Sequence, residues 1–270
     1  MEHTWIAAIL GVVEGITEFL PVSSTGHLIV AGHLLGYTDE KAACFEIVIQ
    51  SGAILAVVLL FRHRFRDLVP LPENRRAVDT GFTGWRGLSL LALTTLPAVV
   101  AGLLFHKTIK AHLFSPVTVA WALAVGGVLI LVAERFKPTT SAGDLNDLRY
   151  GQAFAIGLFQ CLALWPGMSR SASTIIGGLF TGLDRNGAAE YSFLAAVPVL
   201  VAATAYELYK EFHLLSSHDL IPFVTGFVVS FVFAAIAVKT FIKALQRWTL
   251  APYAYYRIAL APLIYLVLCR

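Results

Sequence analysis

Six apolar stretches, residues 45–61, 88–105, 117–133, 188–208, 221–238 and 252–268, constrain this chain more than any other feature. Each approaches the roughly 20 residues that a helix needs to cross a hydrocarbon core of about 30 Å. In lipid a helix satisfies its own backbone, so stretches of this kind become helices rather than open sheet. The chain of 270 residues is 57% hydrophobic and only 14% charged, and its mean hydropathy is +0.74. That excludes an ordinary soluble domain and predicts an all-α polytopic membrane protein with about six transmembrane helices.

The apolar start at residues 5–10 lacks a basic region before it, and Glu14 and Glu18 interrupt the apolar character beyond it. It is not expected to be a cleavable signal peptide. Cys44, Cys161 and Cys269 are odd in number and widely spaced, without a C-x-x-C pair, and read as apolar filler or free thiols. The formal charge of +3 says little about partners, and no nucleic acid is expected.

The distribution of charge is more informative. Arg62, Arg64, Arg66, Arg75, Arg76 and Arg86 come after the first apolar stretch, and later loops hold Arg135, Lys137, Arg149, Arg185, Lys239, Lys243 and Arg247. By the positive-inside rule these lie on the cytoplasmic side. The poorer loops, with Lys41, Lys107, Lys110 and Lys210, would face outward. The alternation works if two further segments, 5–36 and 152–183, enter and return on one side as re-entrant hairpins. Both are moderately apolar and broken near the middle by Pro, Gly, Ser and Thr.

These two segments resemble each other. Gly11-Val12-Val13-Glu14 precedes Leu20-Pro21-Val22-Ser23-Ser24, and Gly157-Leu158-Phe159-Gln160 precedes Trp165-Pro166-Gly167-Met168-Ser169, with a one-residue gap. Each is succeeded by three apolar stretches. The expected organisation is an inverted-topology repeat within one integral membrane domain, 1–150 and 151–270. In such architectures paired broken helices meet near the midplane and build the functional site.

Glu14 and Glu18 are one helical turn apart, so both carboxylates project from one face of an otherwise apolar segment. They could be a solvated surface pair, hold a divalent cation through oxygen ligands, or supply a general base. Directly after them, Ser23, Ser24, Thr25 and His27 put hydroxyls and an imidazole in one tight loop. That suits nucleophilic or acid/base work, although such hydroxyls also cap helices. His33 reads as structural.

In the second segment Arg170 stands among Ser169, Ser171, Ser173 and Thr174. The planar guanidinium is suited to clamping phosphate, and backbone N–H groups at the start of the next helix would add donors. An acid, a nucleophile and metal ligands facing a cationic anion cradle fit phosphoryl transfer, where positioning and charge stabilisation dominate. A secondary transporter is the alternative, because broken-helix repeats are common there. Glu46, Gln50, Glu190 and Arg257 are given at most supporting contacts.

The motifs E-G-x-T-E-F-L-P-V-S-S-T-G-H at 14–27 and P-G-x-S-R-S at 166–171 resemble the undecaprenyl pyrophosphate phosphatase family associated with bacitracin resistance. The likeness covers nearly the whole chain. It implies hydrolysis of C55 undecaprenyl pyrophosphate to the monophosphate carrier and dependence on Mg or Ca. It also implies an active site opening to the periplasmic side of the bacterial inner membrane, and a homodimer.

By position the resemblance makes Glu14 and Glu18 the acidic motif and metal ligands, Ser24 and His27 the catalytic loop, and Ser169, Arg170 and Thr174 the phosphate-binding loop. Ser23, Thr25 and Ser171 would add substrate contacts. In the expected mechanism Ser24 attacks the terminal phosphorus while His27, helped by Glu18, removes its proton. His27 as nucleophile, or a metal-activated water, remain alternatives. One departure is Ala172 where relatives commonly have Gly, which matters if that residue needs a positive φ.

Overall fold

A computed structural model describes residues 2–38, 40–70, 81–113, 115–138, 145–211 and 219–268. Arg75, Arg76 and Cys269 lie outside them. The described residues form helices α1 (Glu2–Thr17), α2 (Ser24–Leu35), α3 (Glu40–Leu60), α4 (Arg62–Asp67), α5 (Gly84–Leu113) and α6 (Pro116–Phe136). The second half adds α7 (Tyr150–Gln160), α8 (Arg170–Phe180), α9 (Arg185–Glu211), α10 (Leu220–Leu245) and α11 (Ala251–Leu268). No strand occurs among the described residues.

Five helices are long and apolar enough to cross a membrane: α3, α5, α6, α9 and α10. They cover five of the six expected spans. The sixth forms α11, a continuous helix of 18 residues. It is not among those five, and it carries Arg257 and four tyrosines. The basic ends of α6 and α9 are tied together at Glu134, which accepts from Arg185 Nη2 at 2.7 Å and Lys137 Nζ at 3.1 Å. The Leu250 backbone N–H donates to the same carboxylate at 2.8 Å, fixing the entry to α11.

Both broken segments appear as helix, turn, helix: α1 to α2, and α7 to α8 through a short 3-10 turn at Cys161–Leu164. Their first helices do not pack only within their own half of the chain. Helix α1 lies along α10, and α7 lies along α5. Glycine permits both approaches. A Cβ on Gly11 would sit 2.6 Å from the Gly226 carbonyl of α10, and one on Gly157 would sit 2.7 Å from the Thr94 carbonyl of α5. Helices α3 and α9 also pack together, as do α6 and α11. Each half therefore completes the other, and the two turns are carried into the centre.

The main core runs beneath those turns. Phe19 packs edge-on against Phe193 at 5.5 Å, Phe193 lies 6.1 Å from Phe241, and Phe241 packs edge-on against Tyr253. Aromatic pairs in such geometries contribute about 0.5–1.5 kcal/mol beyond their area. Phe19 adjoins Glu18 in sequence, so this column also fixes the floor beneath the buried carboxylate.

Candidate active site

The sequence breaks helix α1 at Glu18–Pro21, and the chain re-enters a helix at Ser24. Ser23, the residue before α2, has φ 72°, and Ser169, the residue before α8, has φ 73°. Among the described residues these are the two non-glycine positions of positive φ. Such conformations cost of order 1–3 kcal/mol and persist where the surroundings over-determine them. Here each serine caps the helix it precedes: Ser23 Oγ accepts from the Gly26 N–H at 3.4 Å, and Ser169 Oγ accepts from the Ala172 N–H at 3.2 Å. Ala172 itself lies buried inside α8, so its replacement of Gly introduces no strained backbone.

The turns bring Glu18, Ser24 and Arg170 together. Ser24 Oγ donates to Glu18 Oε2 at 2.6 Å, and Arg170 Nη2 donates to Glu18 Oε1 at 2.9 Å. Glu18 is 7% exposed, so the carboxylate is shielded while the Ser24 hydroxyl is half-buried beside it. The Arg170 guanidinium also donates from Nη1 to the Ser192 carbonyl at 3.1 Å and lies 5.5 Å above the Phe19 ring. Its Nε is buried without a partner.

Ser171 joins the turns a second time, donating to the Leu20 carbonyl at 2.9 Å, and it lies 3.0 Å from Ser169 Oγ. Thr174 is fully buried behind Arg170. Its hydroxyl donates to the Arg170 carbonyl at 2.9 Å and pairs with Ser192 Oγ at 2.6 Å. Thr174 thus supports the Arg170 backbone. Thr25 is the exposed hydroxyl at the start of α2.

The expected pairing of His27 with Ser24 is not the one in the structure. His27 Nδ1 meets the Ser23 carbonyl at 2.7 Å, which can only accept, so that nitrogen carries the proton. Nε2 then accepts from the Tyr256 hydroxyl at 2.6 Å, and the two rings lie nearly parallel. The hydroxyl of Ser24 is paired with Glu18 instead.

Glu14 is 1% exposed, and neither of its carboxylate oxygens has a partner. It lies within electrostatic reach of Glu18, Glu46 and Arg170. Among the described residues no group of three or more His, Cys, Asp or Glu side chains could hold a metal ion.

Three residues of the cluster escape sequence reasoning. Ser192, one of several hydroxyls scattered along the long helix α9, carries no pattern of its own. Tyr256, one of four tyrosines in α11, belongs to no motif. Arg257, given at most a supporting contact on sequence, is wholly buried. Its Nε donates to the Leu123 carbonyl at 3.2 Å, and its Nη2 donates to Ala122 at 3.1 Å and Gly167 at 3.0 Å. Its Nη1 donates to the Pro21 carbonyl at 3.2 Å. The signal that could have found it is the cost of any intramembrane arginine, the same rule that draws attention to Arg170.

The fold and the cluster define a multi-pass α-helical membrane protein with a buried carboxylate, hydroxyl and guanidinium where two broken helices meet. Comparison of the sequence with known families narrows the class further. Residues 7–263 match the bacitracin resistance protein BacA family, and the chain belongs to that family.

It is similar to proteins named undecaprenyl-diphosphatase. The one from Maridesulfovibrio salexigens is 56% identical over 265 residues, covering 98% of both chains. The one from Nitratidesulfovibrio vulgaris is 57% identical over 260 residues, covering 96% of both. The one from Solidesulfovibrio magneticus is 54% identical over 266 residues, covering 98% of both.

Proposed function

We propose that this protein hydrolyses undecaprenyl pyrophosphate to undecaprenyl phosphate and inorganic phosphate. The reaction returns the lipid carrier for peptidoglycan and other envelope polymers, and it confers resistance to bacitracin. The observation that carries the chemistry is the Glu18 carboxylate, shared at 2.6 Å with the Ser24 hydroxyl of one turn and at 2.9 Å with Arg170 of the other.

In this mechanism Ser24 Oγ attacks the terminal phosphorus and its proton passes to Glu18. The Oγ–P bond forms as the bond from that phosphorus to the bridging oxygen breaks, and undecaprenyl phosphate leaves. Water then cleaves the serine phosphoester, restoring the Ser24 hydroxyl and releasing inorganic phosphate. Arg170 stabilises the charge on the equatorial oxygens, and its Nε, buried without a partner, supports that reading as an uncommitted donor. Ser169 and Ser171 line the same turn, and Thr174 holds the Arg170 backbone. His27, one turn after Ser24 in α2 and held by Ser23 and Tyr256, donates or accepts protons in the second step. Ser23 and Thr25 shape the turn.

A divalent cation, Mg or Ca, fits the carboxylates. Mg often binds through one or two carboxylates plus substrate phosphates rather than a complete protein cage, and the two orphaned oxygens of Glu14 beside Glu18 are such a donor set. When bound, the ion would neutralise charge on the pyrophosphate.

The same reading takes 1–150 and 151–270 as inverted repeats with re-entrant hairpins 5–36 and 152–183. The matched serine conformations and the Gly11 and Gly157 approaches support it. With basic loops inside, the protein resides in the bacterial inner membrane, with the site open to the periplasm. A homodimer is part of the proposal; Gly126 and Gly127 do not serve it, because both are buried against α11 within the chain.

The test is phosphate release from C55 and C15 prenyl pyrophosphates by purified protein in detergent, with and without EDTA, beside Ser24→Ala. Metal-dependent release, lost in the variant, is expected. No release by the intact protein with any divalent ion would sink the hydrolase reading and favour lipid transport.

A further inference from the structure

Arg257 is a complete cation placed behind the site rather than in it. It is 0% exposed, and four of its donor contacts end on backbone carbonyls. Among the described residues no carboxylate lies in salt-bridge range of it. A buried arginine that merely neutralised an acid would have one. Burying an ion this way is costly, so its position calls for a function.

The choice of carbonyls is specific. Nη1 donates to Pro21, two residues before Ser23, and Nη2 donates to Gly167, two residues before Ser169. Ser23 and Ser169 are the pair of positive-φ serines that begin α2 and α8. One guanidinium therefore bridges the equivalent carbonyls of the two turns, from its two terminal nitrogens. Its remaining bonds, to Ala122 and Leu123, anchor it on α6.

The neighbouring helix is shaped to admit it. A Cβ on Gly126 would collide with Arg257 Nη2, and it would lie 2.7 Å from Cζ. A planar fork with donors fixed in direction is the group suited to such a bridge, and a lysine ammonium is not equivalent.

We infer that Arg257 is a positioning residue, which sets the separation of Ser24 and Arg170 by clamping the two turns through the Pro21 and Gly167 carbonyls. It acts through the serine and the arginine and does not touch the substrate. The inference rests on the phosphatase reading for its effect on turnover, and on geometry alone for its effect on the turns.

The experiment compares Arg257→Gln, Arg257→Lys and Gly126→Ala with Glu134→Gln. The last loosens the ion-pair cluster at the far ends of α6 and α9 and serves as a structural control. Three quantities are measured in detergent: kcat and KM for a C15 pyrophosphate, melting temperature, and amide hydrogen exchange in 20–26 and 166–172. A misplacement of about 1 Å costs on the order of a hundredfold in rate. Arg257→Gln should therefore lose about that factor in kcat with a much smaller change in KM, and exchange should rise in both turns together. Arg257→Lys should recover part of the loss, and Gly126→Ala should fall in the same direction as Arg257→Gln. Glu134→Gln should melt earlier with kcat per folded molecule unchanged.

A folded Arg257→Gln protein with wild-type kcat, or exchange that rises everywhere as in Glu134→Gln, would overturn the inference. If Arg257→Gln does not fold, Gly126→Ala decides by the same criteria. Should the wild-type protein release no phosphate, the phosphatase reading fails, and the exchange measurements still decide whether Arg257 joins the turns.

Discussion

Glu18 and Arg170 are 152 residues apart in sequence and 2.9 Å apart in the structure, joined across the two broken segments. Their pairing makes each the condition for the other's burial. A buried carboxylate or guanidinium left alone would carry a penalty of several kcal/mol. With Ser24 on the second oxygen, the carboxylate is both the acceptor of the serine proton and the anchor of the phosphate clamp.

Glu18→Gln removes that acceptor and leaves Arg170 without its partner. General-base catalysis contributes typically 10²–10⁴-fold, so kcat for prenyl pyrophosphate hydrolysis should fall by about three orders of magnitude. Steady-state phosphate release checks it, and a loss below about tenfold would remove Glu18 from the role of base.

Arg170→Lys keeps the charge and loses the fork. Turnover should drop by about 10–100-fold, since bidentate recognition is not reproduced by an ammonium. Because the two residues touch, Glu18→Gln and Arg170→Lys should be non-additive in a double-mutant cycle. Strictly additive effects would mean that the pair does not act as a unit.

The extent to which this site can be read from sequence depends on how residues stand out against lipid. Glu14, Glu18 and Arg170 stand out because charge in an apolar segment is expensive, and Ser24 stands out by adjacency to a helix-breaking proline. What local pattern does not carry is partnership. The acceptor of the Ser24 proton depends on a turn geometry whose positive φ falls on Ser23, whereas glycine would be the residue expected there. Tyr256 meets His27 across 229 residues and Arg257 meets Pro21 across 236. Those contacts exist only because α11 packs on α6 and reaches α2, which no short stretch of sequence encodes. The six expected spans are legible because hydropathy is local, and the weakest of them, α11, is the helix whose polar residues serve the site.

Tyr256→Phe keeps the ring and deletes the hydroxyl that His27 Nε2 accepts from. A hydrogen bond of this kind contributes about 0.5–1.5 kcal/mol net, so melting temperature should move little while kcat falls by about tenfold through loss of the fixed imidazole. An unchanged kcat in a kinetic comparison with His27→Ala would show that the contact is a bystander.

Ser23→Ala removes a cap at a position of positive φ, whereas Ser23→Gly removes the cap and relieves the backbone. Replacing a serine cap by alanine costs about 0.5–2 kcal/mol and by glycine only a few tenths, and strain widens the gap here. Denaturation in detergent should rank wild type above Ser23→Gly above Ser23→Ala. The reverse order of the two variants would mean that the backbone at 23 is not held by its surroundings.

Glu14→Gln tests the ligand set for the divalent ion separately from the base. Its two oxygens are buried without partners, and substitution by an amide removes one oxygen donor and the charge. The concentration of Mg or Ca needed for half-maximal phosphate release should rise by at least about tenfold, since each carboxylate is a large part of a sphere completed by substrate oxygens. Isothermal titration of Mg and of Ca into protein held with a non-hydrolysable pyrophosphate analogue gives the same comparison without turnover. A wild-type metal requirement in Glu14→Gln would assign those orphaned oxygens to something other than a cation, and would leave Glu18 as the carboxylate to test next.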